Sequence, residues 1–249
     1  MNANRIPLLN TFYDNLTSQQ TLTIVNDAIV NKQQIHHTVI NANKVVLLQK
    51  NLELRNSVNS ADIINIDGKG VLWAAEFLGK PVKERVTGID FMMEVLQLAH
   101  KNSYKVYLFG AEEDTLKTLV NKLSNEFSDH LIAGHRNGYF TGNDEKEIVR
   151  QIAASEAQIL FVAMPSPKKE NFLFKYKKEL EKINFIMGVG GSFDVLAGKV
   201  SRAPLWMQRI GMEWFYRLIQ EPKKMWKRYL IGNFLFLTLV LKSKISLSK

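Results

Sequence analysis

The sequence predicts an α/β fold, a mostly parallel sheet covered by helices, followed by a helical, membrane-associating appendage. Three observations predict it. Short β-branched runs alternate with longer amphipathic stretches over the first two hundred residues, the signature of repeated βα units. The alternation stops after Ala203, where Trp, Phe, Arg and Lys take over. The net charge of +9 is also confined to one end: residues 199–249 hold eleven Lys and Arg against Glu213 and Glu221, and residues 1–198 hold twenty-two of each sign.

Taken in order, HHTVINAN (36–43) reads as a strand leaving into a polar turn, and KVVLLQKNLELRNSVNSA (44–61) as one helix after it. DIINID is the next strand, and GKGVLWAAEFLGKP starts a helix behind two glycines. GIDFMMEVLQLAHKNS has helical spacing, and YKVYLFGA is a strand. EEDTLKTLVNKLSNEF is a helix with acids in its first turn, where the helix dipole favours them. HLIAGHRNGYF, EKEIVRQIAASEA, QILFVAMPSP, KKENFLFKYKKELEKI and NFIMGVGG continue the pattern. Two units are expected: a catalytic α/β domain over 1–198 and a basic, aromatic-rich appendage over 199–249.

Composition narrows the function classes. With no cysteine, disulfides and thiolate metal sites are excluded. The N-terminus MNANRIPLLNTFYDN lacks the basic-then-apolar pattern of a secretory signal, so the chain is expected to stay inside the cell. Its longest apolar run, Leu230 to Leu241, has 12 residues. A span needs about 20, so no membrane span is expected, and the basic, aromatic end is expected to attach peripherally. The basic end suits an anionic surface, either nucleic acid or a membrane leaflet.

Ligands of open α/β sheets bind beyond the carboxyl ends of the strands. There the sequence places Asn41 and Asn43, Asp67, Gly110 with Ala111, Met164 to Glu170, and Gly190 to Asp194. In GVGGSFDVLAGKVSRAP (188–204) the glycines would let a backbone approach a ligand, while Asp194 opens a helix that stops at Gly198. Asp194 either caps that helix or accepts hydrogen bonds from a ribose or an arginine. Asp67 is either an N-cap or a general base for an attacking hydroxyl. The five histidines show no metal-ligand spacing, so no metal and no cofactor are expected. Further on, Trp206, Ile210, Trp214 and Leu218 fall at four-residue steps, flanked by Arg202, Arg209, Arg217, Lys223, Lys224, Lys227 and Arg228. Such a stripe packs on a core or lies in a membrane surface, and its arginines also suit a diphosphate.

The ordered set N-A-N at 41–43, DG at 67–68, RVTGID at 85–90, FG at 109–110, PSPKKE at 165–170, GVGGSFDVLAGKVSRAP and EWFYRLIQEPKKMWKRY resembles the WecG/TagA/CpsF family of bacterial glycosyltransferases. The likeness runs from about residue 8 to about residue 233. It implies a Rossmann-like sheet with helices on both faces and an appendage that docks on the membrane and helps close the site. It also implies metal-independent, inverting transfer of an N-acetylmannosamine-type sugar from UDP to a polyprenyl-diphosphate-linked N-acetylglucosamine, at the cytoplasmic membrane face, in teichoic acid, common antigen or capsule assembly.

Carried over by position, Asp67 matches the family's general base, and Asn41 and Arg85 join it as catalytic candidates. Asn43, Gly110, Ala111, Met164, Pro165, Lys169, Glu170, Gly190, Gly191 and Asp194 correspond to the donor pocket. Arg202, Arg209, Arg217, Lys224 and Arg228 correspond to the diphosphate or membrane side. Many members have Thr at the place of Asn41 and Gln at that of Lys169, departures that bear on which sugar is carried. The expected partners are a UDP-sugar, the lipid-linked acceptor and an anionic membrane surface, without nucleic acid; a homo-oligomer is compatible with the sequence. The competing readings are a transferase for another UDP-sugar, a basic-tailed nucleic-acid binder, and a non-catalytic membrane protein.

Overall fold

The computed structural model describes residues 4–247, without the side chains of Lys224 and Leu247. Among the described residues, eight strands form two sheets. β1 (Arg5–Leu8) and β2 (Thr11–Asp14) make an antiparallel hairpin that the alternation pattern did not predict. β3 (Ile35–Ile40), β4 (Ile63–Ile66), β5 (Val106–Gly110), β6 (Ile132–Arg136), β7 (Ile159–Ala163) and β8 (Phe185–Gly188) form one sheet in the order β4-β3-β8-β7-β5-β6. All its pairings are parallel, as the βα alternation requires.

Alternate strand residues face opposite layers. Val106, Leu108, Ile159, Phe161, Phe185 and Met187 pack with the helices Ser18–Val30, Gly88–Asn102 and Glu113–Glu126. Tyr107, Phe109, Leu160, Val162 and Ile186 pack on the other side with Glu145–Ala154 and Lys168–Lys175. Burial on both faces explains why these strands read as continuous apolar runs. The hairpin covers the β4 edge: buried Asp14 accepts from Ile64 N–H at 2.8 Å and holds Arg5, which donates on to the carbonyls of Ala61 and Asp62. A free edge would expose unpaired backbone groups.

Two elements differ from the sequence pattern for local reasons. The stretch expected as one helix over 44–61 is two, Ala42–Lys50 and Leu52–Asn59, because the Asn51 side chain accepts from Leu54 N–H and starts a new helix. The stripe expected from Trp206 to Leu218 is not one helical face. Leu205–Arg209 and Glu213–Gln220 are separate helices, parted at Gly211, whose φ of +78° is left-handed. Pro222 then starts the short helix Pro222–Trp226.

The last arm is longer than its apolar run suggested. A π-helical turn, Lys227–Ile231, leads into Gly232–Leu247 without interruption at Gly232 or Asn233. The helix Lys227–Ser246 is long and apolar enough, by length and composition, to cross a membrane. It also packs on the body: Phe236 and Val240 are buried with Ile40, Val45 and Leu48, beside Leu8 and Tyr13 of the hairpin.

Candidate active site

The strand register brings the sequence-predicted loops to one edge. Ile40 lies opposite Ile66, Gly110 opposite Ala163, and Val162 opposite Gly188. The β5 connection leaves towards β6 and the β7 connection towards β8, so the loops diverge between them. Such a divergence opens a crevice at the carboxyl edge.

Asp67 follows β4 at this edge and is half-buried. It does not cap the helix Lys69–Phe77; Gly68 holds the N-cap position, with no side-chain cap bond. Instead Asp67 Oδ1 accepts from Gly88 N–H at 3.4 Å, and Arg85 Nη1 donates to its backbone carbonyl at 3.4 Å. Burial holds the Asp67 carboxyl above the usual aspartate range, opposed by the nearby Arg85 charge and reinforced by Glu213. A carboxyl tuned upward and held by a long contact to Gly88 N–H suits a proton acceptor. Asn41 sits beside Gly68, where an added Cβ would lie 3.4 Å from Asn41 Cβ. Its side chain accepts from Lys44 N–H as the N-cap of Ala42–Lys50.

On the β7–β8 side the two predicted donor residues turn inward. Lys169 and Glu170 are 5% and 2% exposed, and Lys44, at 3%, joins them. Glu170 Oε1 receives Lys44 Nζ at 2.8 Å, Lys169 Nζ at 2.7 Å and the Ser166 hydroxyl at 2.8 Å. Burial and the neighbouring Lys44 charge lower Lys169 to about 8, while the two ammonium groups hold Glu170 well below the usual range. Met164 lies in the core. Nothing in the spelling NANK marks Lys44 as buried; it reads as a first-turn surface residue.

The glycines divide by role. Gly110 has φ of +128°, and a Cβ there would stand 2.3 Å from the Ala163 carbonyl oxygen; Ala111 N–H donates to that same oxygen. Here glycine lets β5 and β7 meet. At Gly188 a Cβ would strike Lys169 Cε at 2.8 Å, so this glycine makes room for the buried ammonium. Gly190 has φ of +57° with nothing within 4 Å of an added Cβ. An added Cβ there would meet open space, unlike at Gly110 and Gly188. The helix Ser192–Leu196 follows, and Gly198, at φ +84°, lies just beyond it.

The appendage folds back over this edge. Arg217 Nη2 lies 4.0 Å from Asp194 Oδ2 and 2.7 Å from Glu221 Oε2, and 3.7 Å from where a Cβ on Gly191 would be. Asp194 therefore faces an arginine and forms no side-chain cap. Tyr229 packs on Trp214 with ring centroids 6.0 Å apart, and Asn43 Oδ1 lies 3.4 Å from where a Cβ on Gly232 would be. Arg202 forks onto Asp90, and Glu213 pairs with Arg85. Arg209 and Arg228 are exposed, and the Lys224 side chain lies outside the described residues. Among the described residues no three His, Asp or Glu side chains gather as a metal-ligand group. Asp90 and Glu213 were not among the sequence candidates: their partners stand 112 and 128 positions away.

This edge, with its carboxylate, its open glycine and its arginine-bearing cover, is the setting in which comparison with known proteins decides the family. The family model described as glycosyl transferase WecG/TagA/CpsF matches residues 6–249. The chain belongs to this family. Among similar proteins is the N-acetylglucosaminyldiphosphoundecaprenol N-acetyl-beta-D-mannosaminyltransferase of Bacillus subtilis (strain 168), 39% identical over 173 residues, 70% of this chain and 66% of that protein. The protein of the same name from Staphylococcus aureus (strain MW2) is 30% identical over 253 residues, 100% of this chain and 97% of that one. As in the family resemblance read from the motifs, the likeness takes in the appendage as well as the sheet.

Proposed function

We propose that this chain is an inverting hexosyltransferase that moves an N-acetylmannosamine-type sugar from a UDP donor to an N-acetylglucosamine carried on polyprenyl diphosphate, working peripherally at the cytoplasmic face of the membrane. The observation that carries it is Asp67: a half-buried strand-end carboxylate that caps no helix, is raised by burial and sits beside Arg85. Asp67 takes the proton of the acceptor hydroxyl as its oxygen forms the bond to the anomeric carbon. The bond from that carbon to the donor diphosphate breaks on the opposite face, and UDP leaves with the electron pair. Open backbone at Gly190, Arg217 beside Gly191, and Arg228, whose charge bears on Lys169, would meet the negative charge that develops on the leaving group. The relatives' names supply the mannosaminyl group and the diphosphoundecaprenol acceptor. The apolar arm Lys227–Ser246 is consistent with an acceptor held in lipid.

The test is UDP release in EDTA from UDP-N-acetylmannosamine and a lipid-linked N-acetylglucosamine diphosphate, with Asp67→Asn run beside the native chain. Turnover without metal, falling at least about a hundredfold in Asp67→Asn, is expected for loss of a general base. Equal turnover by the two proteins would remove Asp67 from that role, and turnover only with another UDP-sugar would change the donor.

A further inference from the structure

The six residues Arg85–Asp90 border Asp67, and the appendage grips them at both ends. At the front, Glu213 Oε2 lies 2.8 Å from Arg85 Nη1, the nitrogen that donates to the Asp67 carbonyl. At the back, Arg202 Nη1 and Nη2 reach Asp90 Oδ1 and Oδ2 at 2.6 and 2.7 Å, while Asp90 also receives the Thr87 hydroxyl at 2.5 Å. Between the two lies Gly88, whose N–H points at Asp67 Oδ1. Among the described residues, Arg85 and Asp90 form their ion pairs with the appendage alone.

The strengths of these links are unequal. An N–H···O contact of 3.4 Å holds little by itself, and both contacts to Asp67 have that length. A forked, charge-assisted pair is the strongest and most directional of them. The Gly88–Asp90 turn opens the helix Gly88–Asn102, seated on buried Phe91 and Met92, and the fork and the Glu213 pair fasten its outer side. We propose that Arg202 and Glu213 are positioning residues for the base: through Asp90 and Arg85 they hold the outer side of the segment that presents Gly88 N–H and the Arg85 guanidinium to Asp67. This rests on the reading of Asp67 as base. The charged and titratable groups that face or bear on Asp67 are Arg85, Glu213, Lys44, Arg202 and Tyr229.

Both clasps are partly open to solvent, where an ion pair adds little to stability. Their loss should leave the fold standing and expose the effect on chemistry. The experiment is the pH dependence of kcat and KM for the full chain, with UDP-sugar and lipid-linked acceptor, in Arg202→Gln, Asp90→Asn, Glu213→Gln and Asp67→Asn. Asp90→Asn keeps an oxygen for the Thr87 hydroxyl while losing the charged fork. For Arg202→Gln and Asp90→Asn, kcat at neutral pH falls about tenfold with little change in KM, as expected for a misplaced group. Their acid limb moves to higher pH, because the Asp67 carboxylate loses Gly88 N–H. In Glu213→Gln kcat falls likewise, because Arg85 is no longer held at Asp67. Raised acid limbs in Arg202→Gln and Asp90→Asn, with lowered kcat in all three variants at unchanged urea midpoints, are the expected result. Limbs that coincide with the native chain's overturn the proposal, whatever happens to kcat, as do losses that track the unfolded fraction. Full activity in Asp67→Asn would instead fell the base reading itself, an outcome distinct from a dead Asp67→Asn with unmoved limbs in the other variants.

Discussion

Glu170 takes two ammonium groups and a hydroxyl on a single oxygen, inside the protein at the carboxyl edge of the sheet. Two cations against one anion leave an excess positive charge there, and Lys169 is lowered to about 8 by burial and by Lys44. This excess charge lies at the carboxyl edge of the sheet, beside β7 and β8. Two other buried groups govern its response to acid. Burial lowers His36 and His37 to about 4, so between there and the ordinary value near 6.5 the unfolded chain takes protons that the folded chain refuses. Stability is then complete above about pH 6.5 and falls as pH drops towards 4, by about 3 kcal/mol for each histidine. Glu170, lowered instead by its ammonium partners, adds a further loss below the ordinary glutamate range. Urea unfolding at a series of pH values should show this slope, and His36→Leu should remove about half of it. A flat profile from pH 7 to 4.5 would contradict the burial of both rings.

Among the elements, turns decide more than helices do. Four glycines in seventeen residues, 188–204, suggested one purpose in the sequence, yet Gly188 clears the path of Lys169 and Gly190 opens towards solvent. Gly110, read with the ligand loops, is a strand-packing glycine. These roles separate experimentally. Gly110→Ala must displace the Ala163 carbonyl and should cost about 3 kcal/mol or more, from strain and overpacking together. Gly190→Ala meets no neighbour and should cost about 1–2 kcal/mol for its left-handed backbone, while raising KM for the nucleotide sugar. Thermal melts beside donor kinetics check both, and equal effects on stability would sink the distinction. Gly211 acts at the same scale: by ending the helix Leu205–Arg209 it divides the apolar stripe, leaving Leu205, Trp206 and Ile210 exposed between the two clasps at Arg202 and Glu213.

At the scale of the molecule, the two core clusters built around β5 to β8 contain, among the described residues, none beyond Ala197. The third, between the hairpin, β3, β4 and their helices, takes in Phe236 and Val240 from the last arm. A chain ending at Gly198 should therefore fold cooperatively but lose about 3–5 kcal/mol of apolar burial. It should also be inactive and bind no anionic vesicles, since Arg217, Arg228 and the exposed apolar residues leave with the tail. Urea unfolding, UDP release and vesicle sedimentation on the truncated and full chains check the three parts. Full activity after truncation would refute the need of the base for Arg202 and Glu213.

The βα alternation, the convergence of Asn41, Asp67, Gly110, Pro165–Glu170 and Gly190–Asp194 on strand ends, and the confinement of excess charge to the last fifth were legible in the sequence. Each depends on local spacing or simple counting, and hydrophobic period and turn residues report backbone geometry over a few positions. Whether Asp67 caps a helix or awaits a proton, and whether Lys169 meets a ligand or a buried carboxylate, depended on neighbours from other crossovers. The Arg202–Asp90 and Glu213–Arg85 clasps join residues 112 and 128 positions apart. No periodicity relates such distances, because the partners meet only after six strands have chosen their order and the tail has turned back across their ends. The sequence by itself determined the architecture and the inventory of charged groups. The tertiary structure alone decided which charges face one another and which of them remain for a substrate.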